Sequence, residues 1–409
     1  MNAPDSGHPL RVFYIGAGDP VSPRSGMDVV ARGHIAELAQ SPDIALSGVF
    51  ATLPADGPAP SFGGVTGFRA DTAKPPRGRK LRHMLSGKLL MSIGFVSEAA
   101  RRAVRDGLAA KPDIVVVDHI QALANVSLWR LLVGRTPFVF VGHNVTPDTL
   151  LDAARLRTSR ASRLFLRLEA LQSWIMEAAL LLRARLSVFI SHTDAERYRH
   201  LTGSRAVALC PVIERDESVA RTGDDRDARR VLFIGSPGFP PNRSAIDWIV
   251  RELAPRLLQR DVPVTVSFIG GGTRDYIGPP ATNVETLGFV ADAEMERLLS
   301  QCLCMLSPVV HGSGLKIKVL EAFAAGAPVL ATPLSLQGFG FMGQPPMLDL
   351  ADPDAAVNRI AALAADPVAA ASLRDQVRRA WSAHVAARHG ALADAIRVAA
   401  GRRRVHRTG

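Results

Sequence analysis

Short apolar runs recur along this chain, separated by longer segments whose apolar positions repeat with helical spacing. In the first half Arg11–Gly16 (RVFYIG), Ile44–Ala51, Ile114–Val117, Phe138–Val141 and Leu186–Ile190 read as strands. In the second half the strands fall near 231–234, 264–269, 284–287, 302–306 and 329–331. Ile114–Val117 is entirely β-branched, the composition of a strand buried on both faces of a parallel sheet. Helical spacing marks 27–39, a segment ending near Ala110, an Arg-rich region from Arg155 to Leu186, 315–325, and most of 354–398. Leu53–Pro76, rich in proline and glycine, reads as loop. The repeated strand-then-helix order predicts an α/β fold of doubly wound, Rossmann-like parallel sheets. Glu214–Arg230 (ERDESVARTGDDRDARR) is charged, has almost no large apolar residue, and reads as a linker. The expected division is therefore 1–214, a linker at 215–229, a second domain at 230–380, and a last helix with a basic tail at 381–409.

Length and composition agree with two domains. A chain of 409 residues exceeds the usual size of one core, and 47% hydrophobic residues exclude a disordered polymer. Lys and Arg number 49 against 38 Asp and Glu, a net charge of +11, which calls for an anionic partner. Nucleic acid fits poorly: aromatic residues make up 6%, no zinc-finger spacing is present, and basic and aromatic residues do not interleave. Phosphorylated substrates and an anionic membrane surface remain. Arg77–Lys88 (RGRKLRHMLSGK) and the tail Arg402–Arg407 suit lipid headgroups, and equally suit a solvated basic surface. Cys210, Cys302 and Cys304 make neither a disulfide framework nor metal spacing and read as buried thiols of a reducing compartment. The start, MNAPDSGHPL, lacks the pattern of a signal peptide, and Glu177, Arg183 and Arg185 interrupt the apolar stretch Trp174–Ile190. The expected location is cytoplasmic, at most peripheral at the inner face of the membrane.

Chemistry concentrates at Ser307–Thr332 (SPVVHGSGLKIKVLEAFAAGAPVLAT), a strand, a glycine loop, a helix and a strand. Glycines allow close backbone approach to a ligand, and the free N–H groups of a helix start attract anions. On a helical wheel Val319, Leu320, Phe323 and Ala324 form the apolar stripe, with Lys318 and Glu321 opposite. Lys316 and Lys318 near a helix start oppose the helix dipole, so an anionic ligand would explain them; a solvated Lys318–Glu321 pair is the plain alternative. In the first half, Asp118-His119 and Gly142-His143-Asn144 end two strands, so these side chains point to one region beyond the sheet. Taken singly, each histidine reads as a loop or capping residue, and His34 in mid-helix reads as structural. The loop from Gly16 to Gly26 is not a dinucleotide fingerprint, because the third glycine would fall at Val21, which disfavours a nicotinamide-dependent dehydrogenase.

The segment GSGLKIKVLEAFAAGAPVLAT closely resembles the donor site of retaining nucleotide-sugar glycosyltransferases of the two-Rossmann-domain (GT-B) type, the glycosyl transferases group 1, family 4-like enzymes. The likeness is strong over 231–340 and weak over 1–213, where PDIVVVDH and FVFVGHN resemble corresponding strand ends. It implies a GT-B fold whose domains face a cleft, with Gly312, Ser313, Gly314, Lys316, Lys318 and Gly26 at the donor diphosphate. Glu321 would hold the ribose, the backbone at Phe289 and Val290 would meet the base, and Asp118, His119 and His143 would lie at the reacting sugar. Ser191 matches a structural serine, and the final helix, with Trp381, would cross back to the first domain. Ser236 and Asn242 stand where many relatives place an arginine and a lysine, a loss that Lys316 and Lys318 would offset, with Arg243 a lesser candidate. Ser313 stands where many relatives have a glutamate, and His311 begins the loop. The implied activity is transfer of a sugar from a nucleoside-diphosphate sugar to a hydroxyl of a glycan or lipid-linked acceptor, with retention, in glycan, polysaccharide or glycolipid synthesis. No cofactor and no metal are implied. A nucleotide-sugar epimerase and a non-catalytic membrane-surface scaffold are the competing readings.

Overall fold

A computed structural model describes residues 8–23, 25–53, 60–71, 78, 83, 88–155, 157–213, 229–312, 314–343, 345 and 347–402. All of the proposed linker but Arg229, most of the basic segment 77–88, Ser313 and the tail from 403 lie outside the described residues. By contacts the chain forms two units: residues 1–212 with 313–315 and 388–409, and residues 213–312 with 316–387.

The first unit is built on strands β1 (Leu10–Ala17), β2 (Ile44–Thr52), β3 (Ser61–Phe62), β4 (Val65–Arg69), β5 (Ile114–Asp118), β6 (Phe138–Gly142), β7 (Leu186–Phe189) and β8 (Ala206–Ala208). Their order in the sheet is β3-β4-β2-β1-β5-β6-β7-β8, parallel except for the β3–β4 pair. Alternate residues of each central strand enter opposite cores. Phe13, Ile15, Val115, Val117, Phe138 and Phe140 pack on one face. Leu10, Val12, Tyr14, Ile114, Val116, Val139 and Val141 pack on the other. Both faces are thus apolar, which is why these strands read as unbroken hydrophobic runs. Helices 98–109 and 160–183 bury side chains in the first core, and helix 26–39 supplies Ile35 and Leu38 to the second.

The second face is completed by the helix Ala391–Ala399, whose Leu392, Ala393 and Ile396 are fully buried among the strand residues. Each large side chain so buried contributes roughly 1.5–3 kcal/mol. Glu37 Oε1 accepts from the backbone N–H of Leu392 (2.6 Å) and Ala393 (3.2 Å), capping the positive end of this helix. Arg397 grips Asp43 through two bonds of 2.6 and 2.8 Å. Trp381, in contrast, stays in the second unit with Phe341 and His384.

In the second unit β9 (Arg230–Ile234), β10 (Thr265–Ile269), β11 (Val284–Gly288), β12 (Cys304–Ser307) and β13 (Val329–Ala331) form a parallel sheet ordered β11-β10-β9-β12-β13. Val231, Phe233, Val266, Phe268 and Leu306 face a core shared with Ile246, Ile249, Leu253 and Ile360 of neighbouring helices. The buried guanidinium of Arg374 donates to Gly326 O (3.2 Å) and to Cys302 O, tying together the turn before β13 and the entry to β12.

Several expectations change. The stretch 53–76 is not all loop, since it contains β3 and β4; Val65 at the sheet edge is fully buried although its neighbours are glycines and polar residues. The Arg-rich region is two helices, Thr146–Arg155 and Arg160–Arg183, the second beginning at Ser159, whose hydroxyl accepts from Ser162 N. Ser191 stands at the N-cap of helix His192–Thr202 but makes no side-chain capping bond. The helix after the glycine loop begins at Ile317, and Ala322 rather than Ala324 joins Val319, Leu320 and Phe323 in the core. Cys302 and Cys304 are buried, whereas Cys210 is only partly so. No helix among the described residues is long and apolar enough to cross a membrane.

Glu177 makes the fold pH-sensitive. Burial pushes its carboxyl up to about 8 despite hydrogen bonds from Thr146, and the Tyr198 hydroxyl donates to it. The folded chain therefore holds a proton that the unfolded chain releases near pH 4.5, and stability falls as pH rises between these values, by at most ~1.4 kcal/mol per pH unit. Glu177→Gln keeps the neutral form at every pH. Its melting temperature is expected to drop less than that of the wild type between pH 6 and pH 9, as measured by thermal denaturation.

Candidate functional site

Each sheet has one place where chain order reverses direction. In the first unit β1 is followed outward by β2 and β4, and the chain then returns to lay β5 on the other side of β1. In the second, β9 is followed outward by β10 and β11 before β12 returns beside β9. Loops at the carboxyl ends of such neighbouring strands diverge and leave a crevice, the usual ligand position of open parallel sheets. The residues singled out from sequence fall at these two places.

At the β1/β5 position the centre is Asp118, the last residue of β5, paired in register with Gly16 and fully buried. His143, just beyond β6, is 2.5 Å from Asp118 Oδ1 through Nε2. His34, from the middle of helix 26–39, is 2.9 Å from Oδ2 through Nδ1, and the Tyr14 hydroxyl donates to the same oxygen. A carboxylate only accepts, so both histidines present N–H to it: Nδ1–H on His34 and Nε2–H on His143. Burial alone would raise the Asp118 carboxyl; the charges and hydrogen bonds of His143 and His34 outweigh it and hold the group well below the usual carboxylate range. Burial and the Asp118 charge push the Tyr14 phenol well up, so it remains a donor. Gly16 makes room for this arrangement, since a Cβ there would lie 2.6 Å from the Tyr14 ring.

His119 sits against this group with its ring centroid 4.9 Å from that of His143. Burial, then the nearby His143, lowers it to about 3, so the ring is neutral at physiological pH. Its Nδ1 accepts the N–H of Gln121 (3.2 Å), which leaves the proton on Nε2. The backbone here has φ 71° and ψ 145°, a conformation that side-chain-bearing residues rarely adopt and that costs about 1–3 kcal/mol. Gly26 is the first residue of helix 26–39. Ser25 and Asp28 close a capping box around it, and the Asp28 carboxylate also accepts from Asp19 N (2.7 Å). A ligand anion at Gly26 would thus meet a carboxylate as well as a helix start.

At the β9/β12 position the loop after β12 carries Gly312 (φ 98°) and Gly314 (φ 77°), backbone states that favour glycine. Lys316 occupies the N-cap of helix Ile317–Ala324, and its ammonium donates to Gly312 O (3.1 Å), drawing the cation over the loop. Lys318 pairs with Glu321 at 2.8 Å. The partly exposed i,i+3 pair is worth a few tenths of a kcal/mol, so a ligand can displace it at small cost. The loop base is fixed by hydroxyls the sequence reading did not single out: Ser335 Oγ donates to Ser307 O (2.8 Å) and Thr332 Oγ1 to Val309 O (2.5 Å). Their only sequence signal is position, Thr332 directly after β13 and Ser335 three residues further on.

The loop after β9 is self-contained. Asn242 Nδ2 donates to Ser236 O (3.0 Å), Ser236 Oγ to Gly271 O (2.8 Å), and Arg243 Nε to Pro237 O (3.2 Å). Pro241 lies 3.6 Å from where a Cβ of Gly312 would stand, so this loop borders the glycine loop. Phe289, just past β11, is 75% exposed, and Val290 is half-buried. His311 is exposed. The structure thus joins Asp118, His119 and His143 in the first unit, and Gly312, Lys316, Lys318 and Glu321 along one loop and helix. His34 and Tyr14 are the first-unit members that sequence reasoning missed.

His34, Asp118 and His143 also bring three metal-type donor atoms within 4.8 Å of one another. Metal-bound histidines normally donate their second ring nitrogen to an acceptor. Here those atoms, His34 Nε2 and His143 Nδ1, are buried without a hydrogen-bond partner among the described residues. Direct histidine–carboxylate hydrogen bonds are the reading that fits this donor set.

Comparison with known proteins gives a family-model match over part of the chain, and a fold. The family model described as Glycosyl transferases group 1 matches residues 228–366. A search of curated protein sequences returns no match. Among solved structures the chain is similar to sucrose-phosphate synthase from Thermosynechococcus elongatus, with TM-score 0.67 and 16% identity over 95% of this chain and 98% of that one. It is also similar to Anabaena HepE in complex with UDP and glucose, with TM-score 0.61 and 14% identity over 95% of this chain and 100% of that one. A third is the glycotransferase of kitacinnamycin, with TM-score 0.56 and 15% identity over 96% and 99%. At such identities the likeness is one of fold: two Rossmann-like parallel-sheet domains, as in GT-B glycosyltransferases.

Replacing Asp118 by Asn removes the charge while keeping the shape. Breaking a buried pair of this kind costs about 3–5 kcal/mol. Asp118→Asn is accordingly expected to lower the urea midpoint at pH 7 by a corresponding amount; a shift under about 1 kcal/mol would show that the histidines find other acceptors.

Proposed function

We propose that this protein is a glycosyltransferase that moves a sugar from a nucleoside-diphosphate sugar to an acceptor hydroxyl, with retention of anomeric configuration. The observation that carries the reading is the β9/β12 position: a loop with two left-handed glycines, a helix start behind it, Lys316 folded over it, and Lys318 and Glu321 on the polar side of that helix. The family match at 228–366 covers this segment. When a nucleoside diphosphate leaves, negative charge grows on its β-phosphate; fixed N–H donors and two ammonium groups favour that state more than the ground state. Glu321 accepts the ribose hydroxyls once Lys318 turns to the phosphate, and the backbone beside Phe289 and Val290 meets the base. Gly26 is a further candidate for binding the diphosphate in this reading.

The first unit supplies Asp118, His119 and His143. Asp118 fixes the orientation of the His143 ring through its Nε2–H. His119, neutral at physiological pH, is a hydrogen-bond donor rather than an acid. The acceptor is a glycan or lipid-linked hydroxyl, and the process is glycan, polysaccharide or glycolipid synthesis. The basic segments at 77–88 and the C-terminal tail support work at the inner face of a membrane. No cofactor is required beyond the donor itself.

A panel of nucleotide sugars scored by thermal stabilisation, followed by donor hydrolysis with the best ligand, tests the reading. UDP is the first probe, because HepE holds it. Lys318→Ala and Glu321→Ala are each expected to weaken nucleotide binding about tenfold, ~1.4 kcal/mol, with melting temperature nearly unchanged. Wild-type affinity in both variants would remove the site assignment. Isomerised sugar from donor alone would point to an epimerase instead.

A further inference from the structure

The helix Arg160–Arg183 is apolar on two sides: Met176, Leu180 and Leu181 pack into the first core beside buried polar residues, and a second apolar set faces outward. Glu169, Ser173 and Glu177 lie on its buried side. Leu164, Leu168, Leu171, Ile175 and Leu182 are each between 55% and 68% exposed. At 100° per residue these five fall within a stripe about 60° wide that runs ~27 Å along the helix. Arg160, Arg163, Arg167 and Trp174 fall in a second row on one flank of it. Between Ala153 and Met176 the only acidic residue is the buried Glu169, and among the described residues no carboxylate pairs with Arg157, Arg160, Arg163 or Arg167. Next to the C-terminal end, Arg183 donates to Leu132 O and Gly134 O, securing the short helix Leu128–Val133, which exposes Trp129 and Val133.

A solvent-facing apolar stripe of this length has no role in the fold of the first unit, because its own core contacts are on the other side. We propose that helix 160–183 is a membrane-docking surface that lies in the plane of an anionic bilayer, its leucine stripe among the upper acyl chains and its arginine and tryptophan row at the headgroups. The charge pattern selects this occupant. Phospholipid headgroups supply the negative charge that the three flanking arginines lack, and tryptophan favours the headgroup level. A second copy of the chain would bring only further arginines to the same rim. The docking surface does not depend on the transfer reaction.

The experiment is co-sedimentation of the full chain with phosphatidylcholine vesicles, with and without phosphatidylglycerol. The wild type is expected to pellet with the phosphatidylglycerol vesicles and to be released by added salt. Leu168→Glu with Ile175→Glu should lower the bound fraction about tenfold, and replacing Arg160, Arg163 and Arg167 together by Gln should abolish the preference for phosphatidylglycerol. Melting temperature and hydrolysis of a soluble donor are expected to match the wild type in both variants, since the altered residues are exposed, or partly so at Arg163, and outside the candidate site. Wild type that stays in the supernatant overturns the proposal, as does a double Glu variant that binds vesicles as well as the wild type. Sedimentation velocity showing a wild-type dimer that dissociates in the double Glu variant, without vesicle binding, would assign the stripe to self-association and equally overturn it.

Discussion

Asp118 is a charge held where water cannot reach it, and the first unit is arranged to make that tolerable. An isolated buried carboxylate costs several kcal/mol, yet this one receives hydrogen bonds from three side chains on three separate elements: β1, helix 26–39 and the loop after β6. The consequence is positional as much as energetic. Tyr14, His34 and His143 cannot shift independently, so the end of β5 becomes a fixed reference for the strand ends around it. His119 carries the remaining strain: its backbone is forced into a glycine-like conformation by following directly on the anchored residue, and its Nδ1 bond to Gln121 N holds it there.

The second unit solves the opposite problem, keeping a loop open while holding its base still. Ser307, Thr332 and Ser335 form a buried hydroxyl network that joins the ends of β12 and β13. Above it Gly312 and Gly314 let the backbone turn without side chains in the way, and Lys316 donates to a carbonyl of the loop. The Lys318–Glu321 pair is a weak, exchangeable contact. Rigid beneath and open above is the arrangement expected of a loop that receives an anion.

Much of this was legible in the sequence because parallel strands buried on both faces leave unmistakable apolar runs, and because strand ends are where ligands gather. The two reversal points follow from the order of the strands, and Asp118, His143 and the glycine loop all fall beside them. What was hidden depends on distance across the fold. His34 is one polar residue in a helix, and nothing in its neighbourhood shows that Asp118, far along the chain, is its partner. Tyr14 lies within an apolar strand, where an aromatic residue reads as core. Strand β4 is hidden by its glycines and polar residues, since its pairing to β2 rather than its own composition makes it a strand. The break at 157–159 has no sequence signal, because apolar and basic residues continue through it with helical spacing on both sides.

The helix 160–183 shows why residue type alone misleads about inside and outside. A hydrophobic count over this segment predicts a core helix, and the absence of one clear polar face weakens any amphipathic signal. The resolution lies in Glu177. Its partners, Thr146 and Tyr198, come from the helices on either side, so the polar side of the helix is satisfied inward and the leucines are left to solvent. A buried carboxyl raised to about 8 and an exposed row of leucines are thus two results of one rotational setting of the helix. Turning it by half a revolution would bury the leucines, but would expose Met176, Leu180 and Leu181 along with Ser173 and Glu177, and strand Tyr198 without an acceptor. Because packing the leucines inward would be the ordinary outcome of the hydrophobic effect, their outward position requires a compensating environment, and the flanking arginines indicate its charge.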